Sequence, residues 1–343
     1  MIRDTRPDRG DRYDVVIVGG GPAGLSAALM LGRARRSVLV IDAGEPRNAP
    51  SAHLHGFLSR DGAPPGELLE KGRREVAHYG AEVHAGRVRS AVRDGGLFAV
   101  SDDSGRTVRA RRLLVTSGFT DELPDVPGLG PRWGRDVLHC PYCHGWEVRD
   151  QPIGVLATGP MGVHQALLFR QWTDRLTLLP HTGPHPTDEE SERLAARGIT
   201  VVPGEVTGLE IADDRLTGVR LRTGEPVPLQ ALTVAPRAVP RAAFLDSLGL
   251  SPTPHPSGLG SYLATDPTGR TAVPGVWAAG NVADLTANVL ASAASGSAAA
   301  GAINADLVAE DTRRAVRAHR APFSAATEAR VHEPVAGDRR HGL

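Results

Sequence analysis

A glycine-rich segment between two short apolar runs is the feature that most constrains the fold of this chain. Asp14-Val-Val-Ile-Val18 is a β-branched run typical of a buried parallel strand, and Ser37-Val-Leu-Val-Ile-Asp42 repeats the pattern. Between them lie Gly19-Gly-Gly21-Pro22-Ala23-Gly24 and an Ala/Leu-rich stretch with helical character. This order predicts a strand, a tight turn, a helix and a second parallel strand that ends at an acidic residue.

The glycines of this turn have the G-x-G-x-x-G spacing of dinucleotide-binding turns. Gly19 permits the sharp bend, Gly21 lets the backbone approach a diphosphate, and Gly24 lets helix and strand pack closely. The diphosphate would lie at the helix N-terminus, where free N–H groups and the helix dipole favour negative charge. Asp42 would accept hydrogen bonds from ribose hydroxyls. We therefore predict a dinucleotide cofactor here; a glycine-rich turn without a ligand is the alternative.

The same order of elements recurs later in the chain. Pro152-Ile-Gly-Val-Leu156 is a predicted strand, Ala157-Thr-Gly159-Pro-Met-Gly162 a turn, and a helix and a strand follow. Ala272–Asn281 is a further strand-to-turn segment, and it needs a partner sheet after this second unit has ended. We therefore predict an α/β fold of two dinucleotide-binding, Rossmann-like domains of three layers each, the second inserted into the first.

We place the domain limits by the positions of the predicted strands. Residues 1–121 and 241–310 form the first domain, residues 122–240 form the inserted domain with the cysteines, and residues 311–343 form a flexible C-terminal tail. This tail is expected to begin as a short extension of the last helix and to become disordered, because it has few apolar residues.

The charge balance and the cysteine content exclude several functions. The chain has 39 basic and 39 acidic residues, so it lacks the excess of Lys and Arg on which nucleic-acid or anionic-membrane binding depends. Two cysteines are too few for a secreted disulfide framework or a four-thiolate metal site. Residues 1–13 are polar and charged, and glycine and proline interrupt the longest apolar stretch. We predict a cytoplasmic protein without a nucleic-acid partner, a membrane partner or a metal.

The cysteines, Cys140 and Cys143, form a Cys-x-x-Cys motif. In a reducing cytosol such a pair is more often reactive than structural. His139 and His144 flank the pair, and an adjacent base or cation is what a thiolate near neutral pH requires. Either histidine can be this base, and a zinc site completed by histidines is the minor alternative.

These motifs together resemble those of the flavin-dependent pyridine nucleotide–disulfide oxidoreductases, in the low-molecular-weight thioredoxin reductase branch. The resemblance rests on Gly19–Gly24, Val115-Thr-Ser-Gly118, Cys140-Pro-Tyr-Cys143 and Gly275-Val-Trp-Ala-Ala-Gly280-Asn281. It implies that FAD binds to the first domain and the C-terminal segment, and that NADPH binds to the inserted domain. It also implies that Cys143 faces the flavin and that Cys140 meets the substrate.

Further segments are similar to a subgroup that includes dithiol oxidases of sulfur-containing natural products such as holomycin, gliotoxin and romidepsin. These segments are Pro46-Arg47-Asn48, His53-Leu-His55-Gly-Phe57 and Cys140-Pro-Tyr-Cys-His144-Gly-Trp. On this resemblance the cofactor-binding residues include Arg47, Asn48, His55, Gly118, Gly280 and Asn281. Asn281 replaces a usual aspartate, and its amide can still bind the ribityl chain through O or N.

The second dinucleotide motif departs from this family. Ala157 replaces the first glycine, and Pro180-His-Thr-Gly-Pro-His-Pro186 has no arginine that could hold the 2′-phosphate of NADPH. We therefore predict an FAD-dependent enzyme that oxidises a small-molecule dithiol with oxygen, and the use of NADPH stays open. The alternatives are an NADPH-dependent reductase of a thioredoxin-like protein and a flavin-binding protein without turnover. The small residues of Ala291–Ala302, with the resemblance, predict a homodimer.

Overall fold

The computed structural model of the protein describes residues 11–320. The strands are β1 (Arg12–Val18), β2 (Val38–Asp42), β3 (Glu82–Ala85), β4 (Val88–Asp94), β5 (Leu97–Asp102), β6 (Thr107–Val115), β7 (Phe119–Glu122), β8 (Val137–Leu138), β9 (Ile153–Leu156), β10 (Leu176–Leu179), β11 (Thr200–Val201), β12 (Val206–Ala212), β13 (Arg215–Leu221), β14 (Pro226–Pro228), β15 (Ala231–Val234), β16 (Arg237–Pro240), β17 (Thr253–Pro254), β18 (Ser261–Tyr262) and β19 (Val276–Ala278). The helices are α1 (Pro22–Arg33), α2 (Pro65–His78), α3 (Leu129–Arg132), α4 (Pro141–His144), α5 (Gly162–Phe169), α6 (Asp188–Ala196) and α7 (Val289–Arg320), with short 3₁₀ helices at Ala243–Leu248 and Gly280–Val282.

The first sheet brings together strands from both sides of the insertion. Its parallel strands lie in the order β3–β2–β1–β6–β19, and β5 and β4 continue the sheet in antiparallel orientation from the first half of β6. In β19, Val276 pairs with Leu113 of β6, although the whole second sheet lies between them in the chain. This return confirms the predicted fold class, in which a second Rossmann-like domain is inserted into the first.

The second sheet ends beside the Cys-x-x-Cys motif. Its strands are all parallel, in the order β11–β10–β9–β15–β8. The motif directly follows β8 and therefore leaves the sheet at the same edge as the end of β15. The antiparallel pair of β7 and β16 connects the two sheets, close to the predicted domain limits. We call the part of the chain that forms the first sheet the first domain, and the part that forms the second sheet the inserted domain; their exact limits stay predictions.

Both faces of the first sheet are buried, as the uninterrupted apolar character of β1 predicts. Val16 and Val18 pack on one face with β5 and the 3₁₀ helix at Ala243–Leu248. Val15 and Ile17 pack on the other face with α1 and α7. The carboxyl ends of β1, β2 and β6 therefore lie at the edge of a sheet that is packed on both faces.

Helix α7 closes one side of the first domain and crosses α1 at very short range. A Cβ atom at Gly296 would lie 2.0 Å from the backbone O of Ala23, so only glycine permits this approach. The far half of α7 is tied to β6 through charged side chains. Arg112 Nε donates to Asp306 at 2.7 Å, and Asp311 pairs with both Arg36 and Arg111.

These ion pairs hold the last part of α7. Residues 311–320 are helical and belong to α7, in keeping with the expected extension of the last helix, and the disorder expected further along the segment 311–343 stays a prediction. The helix continues through these residues because Arg36 and Arg111 bind Asp311. Their side chains are only 14% and 11% exposed. Residues 321–343 lie outside the described part of the chain. The homodimer predicted from Ala291–Ala302 stays a prediction.

Within residues 11–320, no helix is both long enough and apolar enough to cross a lipid bilayer. The absence of a membrane partner and the cytoplasmic location stay predictions from the sequence.

Two glycines of α7 provide a matched test of this packing. We expect Gly296→Ala to lower the free energy of unfolding by about 1–3 kcal/mol, because its methyl group would collide with α1. Gly301 is exposed in the same helix and has no atom within 4 Å of the corresponding position. Gly301→Ala should therefore stabilise the protein by about 0.5–1 kcal/mol. Urea unfolding of both variants checks this, and a loss of equal size in both would contradict the close α1–α7 contact.

Candidate active site

A cavity of about 580 Å³ lies at the carboxyl edge of the first sheet, where the Cys-x-x-Cys segment of the inserted domain faces it. Ligands of open α/β sheets bind at this edge. The predicted site residues that line the cavity are Gly19, Gly21, Pro22, Ala23, Asp42, Arg47, Asn48, His55, Gly118, His139, Cys140, Cys143, His144, Gly280 and Asn281. The structure thus brings together the cofactor turn and the cysteines, which lie more than a hundred residues apart in the sequence.

The glycines of the first turn differ in what each one permits. Gly19 has a φ of 108°, and a Cβ there would lie 2.5 Å from Thr116 O. A Cβ at Gly24 would lie 1.9 Å from Gly19 O, so Gly24 shapes the turn by close packing and does not itself line the cavity. A Cβ at Gly21 would meet no atom within 4 Å, because this position faces the open cavity. Gly19 and Gly24 thus shape the turn, and the approach of a diphosphate to Gly21 stays a prediction.

The N-terminus of α1 is free to receive an anion. Pro22 is its first residue, no side chain of the described residues caps it, and no acidic residue lies in its first turn. Its N–H groups and its dipole therefore favour negative charge supplied from the cavity. Ser117 Oγ is buried nearby without a hydrogen-bond partner among the described residues, and Ser117 also lines the cavity. This donor set fits the diphosphate and polar groups of a dinucleotide cofactor.

Asp42 is already hydrogen-bonded within the protein. Its Oδ1 accepts from the N–H groups of Gly20 at 3.1 Å and Gly44 at 3.3 Å, and Arg73 donates to Oδ2 at 3.0 Å. These bonds hold the carboxylate at the end of β2. An ionised carboxylate has about four acceptor positions, so one is left for a ribose hydroxyl. The ribose contact stays a prediction.

Asn281 is held so that one side of its amide faces the cavity. Its Nδ2 donates to the backbone O of Asp284 at 3.1 Å and of Ala287 at 2.8 Å. Both amide protons are thereby used. Oδ1 is the atom that remains for a ligand, which narrows the prediction that either amide atom could bind.

Arg47 is directed at a carboxylate of the protein. Its Nε and Nη2 donate to the two carboxylate oxygens of Asp121 at 2.7 and 2.8 Å, and its guanidinium lies 4.3 Å from the centre of the Phe119 ring. The Asp121 side chain is only 8% exposed, so the pair is held firmly. The predicted role of Arg47 in cofactor binding is untested, and its positive charge acts on the nearby thiols.

The cysteine pair lies on a single helical turn. Cys140 precedes α4, and its backbone O accepts from the N–H groups of Cys143 and His144, each at 3.2 Å. Gly145 follows, and a Cβ there would lie 2.9 Å from the indole of Trp172. This close approach fixes the turn against the inserted domain. Both thiols are free and partly buried.

The two thiols have opposite acidities. The pKa of Cys140 is lowered to about 6, chiefly because the Cys143 thiol donates a hydrogen bond to its sulfur, with help from the N–H groups of Cys143 and Tyr142 and from the Arg47 charge. The pKa of Cys143 is raised, because it is the donor in this bond and is partly buried beside the Cys140 charge. In the reduced pair Cys140 is therefore the thiolate and Cys143 the thiol.

The two flanking histidines have different partners. His139 Nδ1 is 3.2 Å from the backbone O of Val234, so it carries the proton and leaves the lone pair on Nε2. Burial, with Arg47 nearby, lowers the pKa of His139. His144 Nε2 is 3.2 Å from Ser51 Oγ, and burial lowers the pKa of His144 as well. Both rings are therefore neutral at pH 7 and suited to accept a proton.

The loop between β2 and α2, residues 43–64, supplies polar contacts that the sequence reasoning missed. Besides Ser51, it places His55 Nε2 3.4 Å from Glu147 Oε1 of the inserted domain. Ser51 and Glu147 stand in no motif, so no local signal could have identified them. Among the described residues, no group of three or more His, Cys, Asp or Glu side chains is arranged to hold a metal ion.

The loop after β10 packs on the second dinucleotide turn, residues 157–162. After β10, the N–H of Gly183 donates to Ala157 O at 3.0 Å, and a Cβ at Gly183 would lie 3.2 Å from Gly159 N. His181 in the same loop has a φ of 49° and accepts from the N–H of Val206 through Nδ1. The loop thus packs on the turn that would approach a second diphosphate.

The acidity of Cys140 can be measured directly. In the reduced protein, iodoacetamide should alkylate Cys140 with a rate that rises with pH around a midpoint of about 6. Cys143→Ala removes the hydrogen-bond donor, so the midpoint should move to higher pH, whereas Cys143→Ser keeps a donor and should move less. Peptide mass spectrometry identifies the alkylated residue. A midpoint that is the same in all three proteins would show that Cys143 does not stabilise the thiolate.

Comparisons of the sequence and of the fold identify proteins that are similar to this chain. The sequence pattern of the family described as pyridine nucleotide-disulphide oxidoreductase matches residues 13–301. The crystal structure of HlmI has a TM-score of 0.85 and 49% sequence identity, covering 91% of this chain and 98% of that one. Thioredoxin reductase sirT of Leptosphaeria maculans is 30% identical over 309 residues, which are 85% of this chain and 93% of that protein.

A further relative matches a shorter part of the chain. A probable thioredoxin reductase of Arthroderma benhamiae is 39% identical over 157 residues, and this match spans 44% of this chain and only 38% of that protein. The family implies a flavin cofactor and a nicotinamide nucleotide. The chain therefore belongs to the pyridine nucleotide-disulphide oxidoreductase family and is a thioredoxin reductase-like oxidoreductase.

Proposed function

We propose that the protein is an FAD-dependent oxidase that converts a small-molecule dithiol to its disulfide, with oxygen as the final electron acceptor. The observation that carries the proposal is the position of Cys140 and Cys143 in the wall of the same cavity as the free N-terminus of α1. FAD would be held by Gly19–Ala23, Ser117 and Asn281. Bound there, FAD would supply two-electron redox chemistry between the cysteine pair and oxygen, and the two-electron reduction of oxygen would give hydrogen peroxide.

The residues of the chain carry the thiol chemistry. A substrate thiolate attacks Cys140 of the Cys140–Cys143 disulfide, and the Cys143 sulfur leaves and takes up a proton. The second substrate thiol then attacks the mixed disulfide, which releases the substrate disulfide and the Cys140 thiolate. Two substrate thiols become one disulfide while one enzyme disulfide becomes a thiolate and a thiol, so the two electrons balance. The low pKa of Cys140 makes it the better leaving group in the second step.

Two features support the oxidase over a reductase that draws electrons from NADPH. Gly183 packs against Ala157 on the second dinucleotide turn, and residues 180–186 contain no arginine for a 2′-phosphate. The resemblance to dithiol oxidases of sulfur-containing natural products supports a small dithiol as substrate. The names of the matched relatives favour the alternative, an NADPH-dependent reductase of a thioredoxin-like protein.

Anaerobic reduction of the flavin distinguishes the two functions. We expect a small dithiol to bleach the absorbance of the bound flavin at least ten times faster than NADPH does, and oxygen to restore the colour with formation of peroxide. Bleaching should be lost in Cys143→Ser, because the enzyme disulfide cannot form. Rapid bleaching by NADPH together with no response to any dithiol would identify the reductase instead.

A further inference from the structure

The β2–α2 loop, residues 43–64, forms one wall of the cavity at the carboxyl edge of the first sheet. Most residues of its first half, 43–55, line the cavity, and Leu54 among them is only 4% exposed. The same cavity contains Gly19–Ala23 at the N-terminus of α1. Irregular loops of this length in a compact domain usually have a function. A dinucleotide that binds at the N-terminus of α1 therefore has this loop as a neighbour.

Part of the loop keeps a fixed shape through its own hydrogen bonds. The N–H of Leu54 donates to Ala63 O, and the N–H of Gly62 donates to Leu54 O, each at 2.9 Å. The N–H of Gly56 donates to Asp61 Oδ1, also at 2.9 Å. Residues 54–63 thus form a closed unit of the Ω-loop type, whose ends lie close together. Such a unit can move as one piece when the contacts that hold it elsewhere are broken.

The start of the loop is tied to β7, the strand whose pairing with β16 connects the two sheets. Arg47 donates through Nε and Nη2 to the two carboxylate oxygens of Asp121, at 2.7 and 2.8 Å. A bidentate pair of this kind is among the strongest hydrogen-bonded contacts in a protein. Arg241, which follows β16, donates to Glu45 O at 2.8 Å and to Thr120 Oγ1 at 3.0 Å. Two arginines therefore fasten the start of the loop to the connection between the domains.

The middle of the loop lies against the inserted domain. Ser51 Oγ is 3.2 Å from His144 Nε2, on the turn that carries the cysteines. Pro50 lies directly on Gly134, just before β8, since a Cβ atom at Gly134 would be 2.8 Å from Pro50 Cβ. The loop is thus held in the cavity wall at its start and at its middle, by contacts outside the first sheet.

We propose that the β2–α2 loop is a strap that retains FAD in the cavity, and that the Arg47–Asp121 pair is the latch that keeps the strap closed. The inference rests on FAD as the cofactor of the proposed function. FAD enters and leaves when the loop moves away from β7. The pair must break first, because one partner belongs to the loop and the other to the strand. Arg47 thereby acts on the cofactor through the position of the loop.

The latch predicts a change in the rates of both FAD binding and FAD release. Asp121→Asn keeps the size of the side chain but removes its charge and one of its two acceptor oxygens, so the loop should open more often. Binding of FAD to the FAD-free full chain and release from the loaded chain should each become about tenfold faster. Loss of a residue that only touches FAD would speed release and leave binding nearly unchanged. Stopped-flow flavin fluorescence measures binding, and transfer of FAD to an excess of an apoflavoprotein measures release.

The matched control is the neighbouring residue on β7. Glu122 pairs with Arg237 of β16, within the strand pair itself. Glu122→Gln should therefore leave both rates unchanged. Ser51→Ala removes a hydrogen bond between the loop and the inserted domain, and both rates should rise by a smaller factor, because a neutral hydrogen bond is weaker than a charge-assisted one. Arg241→Gln tests the same strap if Asp121→Asn does not fold, and both rates should rise again.

The expected result is a parallel rise of both rates in Asp121→Asn and no change in Glu122→Gln. Faster release with unchanged binding, or rates that stay the same in Asp121→Asn and Arg241→Gln, would overturn the inference. Equal changes in Glu122→Gln would also overturn it, because they would reflect a general loosening of β7. The rates need no dithiol, so a wild-type protein that holds FAD and oxidises no dithiol would refute the proposed function while the exchange rates still decide the role of the strap.

Discussion

The turn from β1 into α1 is held by backbone contacts so close that no side chain fits between them. Gly24 lies against Gly19, Gly19 lies against Thr116 at the end of β6, and Gly296 of α7 lies against Ala23. These contacts fix the N-terminus of α1 at the carboxyl edge of the sheet, where its N–H groups point into the cavity. The β2–α2 loop, Asn281 and the cysteines are all placed around this edge, so the whole site depends on the turn.

The acidity of the cysteines depends on electrostatic interactions, one of which comes from the first domain. Arg47, bound to Asp121, places a positive charge beside the thiols, and the Cys143 thiol donates to Cys140. Together these interactions make one cysteine acidic and keep the other protonated. In the proposed reaction this difference lets Cys143 take up a proton when the enzyme disulfide opens, while Cys140 leaves the mixed disulfide as a thiolate. The arrangement exists only because the motif emerges from β8 next to β15 and is thereby directed at the first domain.

The fold and the core of the site could be predicted because they rest on local patterns. The G-x-G-x-x-G spacing, the Cys-x-x-Cys motif and the stranded segment at Ala272–Asn281 each predict a structure from neighbouring residues. The contacts that tune the site join residues far apart in the sequence. Ser51 and His144 are 93 residues apart. Arg47 was expected to bind the cofactor, and no pattern indicated that Asp121 would hold its guanidinium. The helical extension at residues 311–320 was expected, but no local pattern indicated that Arg111 of β6 would bind Asp311.

The central claim is that a dithiol substrate reacts with this protein at the Cys140 sulfur. The direct test is to trap the mixed disulfide: flavin-loaded Cys143→Ala, with Cys140 first activated as a mixed disulfide with a thionitrobenzoate group, is mixed with a small dithiol and analysed by intact and peptide mass spectrometry. The account predicts release of thionitrobenzoate and transient attachment of the dithiol to Cys140. Full dithiol oxidase turnover by a Cys140→Ala, Cys143→Ala double variant would contradict it.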